Sequence, residues 1–179
     1  MTLPPDLTLR EAAPGDVAGI AALVAACDES YREWAPPTWS PPPPGRELDR
    51  WRGRLTDGSW WTRLAEEPPP GRRIVGLVCF TQAVRQLADA VLTAEPIPGR
   101  AHVSAVFTHP DRWREGIAAG LLAVAEAAMR GQGYTEVQLW TPQDAPARRF
   151  YDATGWVPDG RSQWLAELGL PIVAYVKTL

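Results

Sequence analysis

Disulfide chemistry is the first thing this sequence leaves little room for. Its 179 residues include two cysteines, Cys27 and Cys79, each inside an apolar run that suits a buried, reduced thiol better than a bridge. Met1 to Arg10 lacks the basic start and apolar stretch of a secretory leader, so a cytoplasmic location is expected. Long hydrophobic runs are also missing. The longest, Ile117 to Met129, is interrupted by Glu126 and falls short of the roughly 20 residues needed to cross a bilayer, so no membrane partner is expected. Charge of one sign is scarce: a net charge of −3 carries no basic footprint for nucleic acid, yet does not oppose a cationic amine. The glycine-rich phosphate loop with its Lys-Ser/Thr pair and the Gly-x-Gly-x-x-Gly dinucleotide fingerprint are both absent, which excludes those nucleotide-binding classes. No internal repeat is visible, and no metal is expected.

What the chain does have is 9 Trp and 19 Pro within an otherwise ordinary globular composition, 45% hydrophobic and 22% charged. Its length fits one domain, residues 1–179, with a substantial core.

Leu7 to Glu11 alternates weakly and predicts a first strand, after which Pro14-Gly15-Asp16 turns into a helix carrying Val17, Ile20, Leu23, Val24 and Cys27 on one face. Asp28 to Gly45 then places Tyr31, Trp34 and Trp39 among prolines, a composition for extended or turn backbone. Three large aromatics are rarely left on a solvated linker, so this predicts an ordered loop that packs on something. Glu47 to Leu55 predicts a short second helix with Leu48, Trp51 and Leu55 on one side. Trp60–Glu66 and Arg72–Thr81 read as strands separated by Pro68-Pro69-Pro70-Gly71, and Ile74 to Phe80 is apolar throughout, as a strand covered on both faces requires. Gln82 to Arg100 reads as irregular. Thr135 to Trp140 alternates as a strand, Asp144 reads as the N-cap of a helix that bears Ala147, Phe150 and Tyr151 and stops at Gly155, and Ile172–Val176 closes the chain, with room for another strand in Trp156–Leu170.

The stretch from Val103 to Leu122 carries the most information. Val103 to Thr108 is β-branched and aromatic, His109-Pro110-Asp111 ends it, and from Gly116 the period becomes helical through Ile117, Leu121, Ala125 and Ala128. No Ser, Thr, Asp or Asn caps Trp113-Arg114-Glu115-Gly116-Ile117-Ala118 directly. A helix N-terminus without a cap presents unpaired amides and about half a positive charge, a setting for an anion such as phosphate. Three strands in succession predict an antiparallel part and the strand–helix–strand unit from Val103 to Trp140 a parallel pair. The expected fold is therefore α/β (α+β), with a mixed, mostly antiparallel sheet of six to seven strands flanked by about four helices.

Val106-Phe107-Thr108-His109-Pro110, Trp113 to Ala118, and Asp144-x-x-Ala147-x-x-Phe150-Tyr151-x-x-x-Gly155-Trp156 together resemble the two signature motifs of the Gcn5-related N-acetyltransferases. The first is usually Gln/Arg-x-x-Gly-x-Gly/Ala, and Trp113 stands where Gln or Arg is usual. The second usually opens on Asn, where this chain has Asp144. The resemblance implies an acyl-CoA N-acyltransferase-like fold and acetyl-coenzyme A as co-substrate, with Trp113, Arg114, Glu115, Gly116, Ile117 and Ala118 on its pyrophosphate, Val106, Phe107 and Thr108 along its pantetheine, and Asp144 and Ala147 nearby. Arg148 and Arg149 are further candidates for its phosphates. Tyr151 matches the tyrosine that protonates the departing thiolate, while packing makes Phe150 the core residue of the pair.

In the family a glutamate on the strand before the helix takes the proton from the amine, and His102 lies close to that position. Alternation puts His102, Ser104, Val106 and Thr108 on one face and Val103, Ala105 and Phe107 on the other. An imidazole near its ordinary pKa of about 6.5 can serve as a base at neutral pH, whereas a structural histidine at a strand start is the competing reading. Tyr31, Trp34 and Trp39, joined by Trp60 or Trp61, fall where the family builds its acceptor pocket, with Ser104 beside them. The alternative is that these rings only cap the core. The resemblance thus implies acetyl transfer to a primary amine, small molecule or peptide, by direct attack in a ternary complex, often in homodimers. A non-catalytic acetyl-coenzyme A sensor of the same fold is the other outcome it allows.

Overall fold

The computed structural model describes residues 2–86 and 94–179. Its elements are β1 (Thr8–Glu11), α1 (Val17–Glu29), α2 (Pro44–Thr56), β2 (Trp61–Glu66), β3 (Ile74–Gln86), β4 (Ala94–Thr108), α3 (Ile117–Gly131), β5 (Glu136–Pro142), α4 (Ala147–Ala153), β6 (Val157–Leu165) and β7 (Leu170–Thr178). The strands form one seven-stranded sheet in the order β1-β2-β3-β4-β5-β7-β6. Every neighbouring pair is antiparallel except β4–β5, which is parallel across the α3 crossover. The mixed, mostly antiparallel sheet read from the sequence is thus observed. No helix among the described residues is long and apolar enough to cross a membrane.

Each face of the sheet has its own core. On one, Ile117, Leu121, Leu122, Ala125 and Met129 of α3 pack on Val75, Val78, Val103, Val137 and Leu139, joined by Tyr151, Trp156 and Tyr175. On the other, Val17, Ile20, Leu23, Val24 and Cys27 of α1 and Trp51 of α2 pack on Leu64, Leu77, Cys79 and Ala105. The Ile74–Phe80 part of β3 is apolar throughout because it feeds both.

The structure corrects three local expectations. Gln82 to Arg100 is not irregular: β3 continues to Gln86 and β4 begins at Ala94, with Val84 opposite Pro96 and Gln86 opposite Ala94, while 87–93 lie outside the described residues. Pro96 misled the reading because proline is barred only from a strand bonded on both sides, and β4 pairs with β5 only from Arg100 onward. The α2 helix begins at Pro44, three residues before the expected start, with proline in its first turn, where the missing amide costs nothing. Asp144 is exposed and caps nothing. Pro146 holds the N-cap position of α4, and no side chain bonds to the helix start.

Glycines set how closely the layers approach. A Cβ on Gly76 of β3 would meet Ile117 Cγ2 at 2.8 Å, Leu121 Cδ1 at 2.9 Å and Ala65 Cβ at 3.1 Å, so α3 lies directly on the strand there. Gly76→Ala is therefore expected to cost about 1–3 kcal/mol by overpacking and lower Tm by several degrees in thermal melts. Gly53→Ala, inside α2 with nothing within 4 Å of the new methyl, is expected to leave Tm unchanged or raise it, because glycine in a helix is about 0.5–1 kcal/mol worse than alanine.

Candidate active site

The uncapped helix start is built as the sequence suggests. After β4, residues Pro110–Arg112 form a single tight turn. Its last residue, Arg112, is fixed by ion pairs to Asp6 (2.8 Å), Glu67 (3.0 Å) and Glu115 (2.7 Å). From that anchor the chain passes through two left-handed residues, Arg114 at φ +68° and Gly116 at φ +81°. Gly116 occupies the N-cap position of α3, and no side chain bonds to the helix start. The amides at the head of α3 are therefore left for a ligand. The Gly116 position is also open, with nothing within 4 Å of where a Cβ would sit. Trp113 leans back over the turn, donating from Nε1 to the Thr108 carbonyl at 2.7 Å. The Thr108 hydroxyl is buried with no hydrogen-bond partner among the described residues. Such a group is costly unless something binds it. These features fit a pyrophosphate-bearing cofactor.

Beside this cradle the sheet parts. The parallel pairing of β4 with β5 runs from Arg100↔Glu136 to Val103↔Leu139 and stops, although β4 continues to Thr108 against β3 and β5 to Pro142 against β7. At the parting point Cys79 faces Ala105 while Phe80 faces Val103, leaving Ser104 as an unpaired bulge residue. A bulge flips every later side chain, so the expected alternation breaks. Ala105 and Phe107 join His102 and Ser104 on the α1/α2 side, whereas Val106 packs with Val103 toward α3. One inserted residue thus overturns the simple period-2 reading from Ala105 onward.

Tyr151, on α4, is the buried member of its pair and Phe150 the half-buried one, the reverse of the packing expected from sequence. Tyr151 sits 5.7 Å, ring to ring, from Tyr175 and 6.0 Å from Trp156. Burial, aided by the neighbouring Tyr175, pushes its hydroxyl well above the ordinary phenol pKa, so it stays protonated at any physiological pH. Tyr175 itself accepts a hydrogen bond at 3.1 Å from Nε of Arg148. Arg148 is thus tied to the core and to the Gln143 carbonyl (2.8 Å), and Arg149 and Ala147 are exposed.

His102 stands one residue before the last position at which β4 pairs with β5. Burial holds its imidazole down to about pKa 4, with Arg54 and Arg161 acting in the same direction. The expected value near 6.5 is therefore not kept, and the ring is neutral throughout the neutral range. Its Nδ1 is buried without a partner among the described residues. Arg54 of α2 donates to Ser104 Oγ at 2.6 Å and lies over Trp51 and Trp60. Arg161 of β6 reaches Gln138 at 3.0 Å and lies over Trp140.

Residues 30–43 form the ordered loop that the aromatics suggested. Tyr31 packs on Trp34 at 4.6 Å and on Trp39 at 5.6 Å, and Trp39 Nε1 donates to the Leu168 carbonyl at 2.8 Å, pinning the loop to the β6–β7 turn. Burial, with Asp28, Cys27 and Tyr151 acting in the same direction, pushes the Tyr31 hydroxyl well above the ordinary phenol range. Trp60 belongs with Arg54, and Trp61 packs on Phe80 in the α3-side core, so neither joins the Tyr31 group. Sequence reasoning missed Asp28, Arg54 and Tyr175. The first two lie on helix faces with no motif to mark them, and Tyr175 reads as one more apolar strand residue. Among the described residues no group of three or more His, Cys, Asp or Glu is arranged to hold a metal ion.

A family model described as the acetyltransferase (GNAT) family matches residues 24–156. A search of curated proteins finds no significant match. Solved structures align over nearly the whole chain. An acetyltransferase from Thermus thermophilus is 17% identical, with 100% of each chain covered and a TM-score of 0.69. The PaiA N-acetyltransferase from Thermoplasma acidophilum, in complex with coenzyme A, is 13% identical, covering 97% of this chain and 99% of its own, at TM-score 0.65. A chimera of the spermidine N-acetyltransferase SpeG from Vibrio cholerae and hSSAT is 17% identical over 97% of this chain and 95% of its own, also at 0.65. At these identities the structures show the fold alone. The family model, which spans most of the chain and takes in the parted sheet, the open helix start and Tyr151, shows that the chain belongs to the GNAT acetyltransferase family.

Proposed function

We propose that the protein moves the acetyl group of acetyl-coenzyme A to a primary amine by direct attack within a ternary complex. The observation that carries this is the coincidence of three features at one gap: β4 leaves β5 after Val103, the unbonded head of α3 opens beside the end of β4, and the Tyr151 hydroxyl stays protonated on the neighbouring helix. The amides from Trp113 to Ala118 would hold the pyrophosphate, with Trp113 as a flank in place of a polar side chain. The β4 edge at Val106 to Thr108 would line the pantetheine, with Asp144 and Ala147 nearby. Acetyl-coenzyme A supplies the activated acyl carbon. Tyr151 donates the proton that the leaving thiolate needs. His102, unprotonated at neutral pH and with a free buried Nδ1, receives the amine proton directly or through water.

Neither thiol suits a covalent route. Cys27 is pushed up to about pKa 12 by burial and donates to the Thr108 carbonyl at 3.3 Å. The Cys79 thiol is likewise raised by burial and accepts from the Thr62 hydroxyl at 3.2 Å. A thiol held as the neutral form is a poor nucleophile, and direct attack needs none.

Thiol release from acetyl-coenzyme A across a panel of primary amines, with calorimetry for cofactor binding, tests the reading. Binding without release by any amine would point instead to a sensor of the same fold. Tyr151→Phe is expected to lower kcat roughly 100-fold or more with cofactor affinity unchanged, and an unaltered kcat would remove the acid role. If His102 is the base, kcat should keep its plateau below pH 6 and fall only toward pH 4, where the imidazole takes its proton. His102→Ala should lower the plateau and lose that limb, and a wild-type limb near pH 6.5 would contradict the assignment.

A further inference from the structure

The strand edge at Val106 to Thr108 and the amide cradle at the head of α3 are separate pieces of backbone, and a ligand that spans them needs their spacing fixed. The register shows which groups of β4 face the gap. The His109 N–H donates to the Val75 carbonyl at 2.9 Å, just beyond the register pair Gly76↔Thr108. In an antiparallel ladder such a bond flanks a non-hydrogen-bonded pair. The N–H and C=O of Thr108, and by the two-residue repeat those of Val106, therefore point away from β3, toward the side that β5 has left. One of these edge groups is already taken. The Thr108 carbonyl accepts from Trp113 Nε1 at 2.7 Å and from Cys27 Sγ at 3.3 Å, while the buried Thr108 hydroxyl has no partner among the described residues. The tip of β4 is thus tied through its carbonyl.

Trp113 gives its N–H to the protein, and an indole has no charge to offer a pyrophosphate. At 47% exposed its ring also adds little to the core. What it does is reach over the turn Pro110–Arg112 and join the last residue of β4 to the first residue of the stretch that leads through Arg114 and Gly116 into α3. The ion pairs of Arg112 do not make that link, since they run to Asp6 before β1, to Glu67 after β2 and to Glu115 within the loop. We propose that Trp113 is a positioning residue, a hydrogen-bonded tether that holds the pyrophosphate cradle at a fixed distance from the pantetheine edge so that one coenzyme A molecule engages both. The proposal rests on the acetyltransferase reading for its ligand. Such a tether strengthens binding of the whole ligand and not of its parts, because a fragment that occupies one subsite is indifferent to the spacing between two.

The test measures by calorimetry the affinities of coenzyme A, of pantetheine as the probe for the strand edge and of inorganic pyrophosphate as the probe for the cradle, in wild type, Trp113→Phe and Trp113→His. Trp113→Phe keeps a ring and loses the N–H. It should bind coenzyme A roughly three- to tenfold more weakly than wild type, with each fragment within about twofold and Tm nearly unchanged. Trp113→His, at pH 8 where the imidazole is neutral, can place its Nε2–H in the same direction and should recover part of the loss. Unchanged or tighter coenzyme A binding by Trp113→Phe would overturn the proposal, the tighter result making the indole a competitor for the Thr108 carbonyl. A loss of pyrophosphate affinity in step with coenzyme A would make Trp113 a direct phosphate contact, and parallel losses of both fragments with a lowered Tm would make it a structural residue, so either result overturns the tether. So would wild type that binds neither fragment, since the two subsites would then not be separable. Failure of wild type to bind coenzyme A would instead overturn the acetyltransferase reading, which keeps the two failures distinct.

Discussion

The rest of the site depends on a single backbone event, the separation of β4 from β5 after Val103. A parallel pair that ended at its natural strand tips would leave no gap, because each strand would stop where its partner does. Here both strands continue, each held from the far side: β4 by β3 as far as Thr108, β5 by β7 as far as Pro142. The extra residue at Ser104 increases the local bend of β4 at the place where the two diverge. The edge so exposed would be a liability in a plain sheet. It lies beside the head of α3, so the free edge of the strand adjoins the unbonded amides of the helix.

Holding that gap open requires rigid neighbours, and the packing supplies them. Gly76 lets α3 settle directly on β3, fixing the height of the helix start relative to the strand. Arg112, clasped by three carboxylates from separate parts of the chain, fixes the loop between them so that Arg114 and Gly116 are held in the left-handed conformation. On the far bank, α4 is short and carries no side-chain cap. Its placement comes from the edge-on and tilted packing of the Tyr151, Trp156 and Tyr175 rings, a sideways anchorage that does not depend on helix strength.

The elements with strong local signals were legible in the sequence: the apolar β3 run, the helical period from Ile117, the glycine at the head of α3 and the aromatic loop that proved ordered. What was not legible came from non-local effects. Pro96 reads as a strand breaker until the absence of a partner on its far side is known. Period-2 counting along β4 is valid up to Ser104 and inverted afterwards, because a bulge adds one residue without leaving a compositional mark. Phe150 and Tyr151 exchange burial because Tyr175 and Trp156, distant in sequence, build a cavity for the tyrosine ring. Asp28 is hidden most completely: an acid at the end of a helix reads as solvated surface, and only the approach of α2 and the aromatic loop buries it.

Asp28 of α1 and His102 of β4 are both displaced from their ordinary ionisation by burial, and their linkage to stability has opposite signs. The Asp28 carboxyl is raised from 3.8 to about 7, so its contribution is present below about pH 4 and is lost as pH rises through 7. The His102 imidazole is lowered from 6.5 to about 4, so its contribution is present above about pH 6.5 and is lost as pH falls through 4. Each displacement is of similar size, on the order of 3–4 kcal/mol between its limits, so the two largely offset each other across the acidic range. Below about pH 4 the buried imidazole carries the cost of its charge, and above about pH 7 the carboxylate carries its own, so the sum of the two changes little with pH and neither limit is strongly favoured.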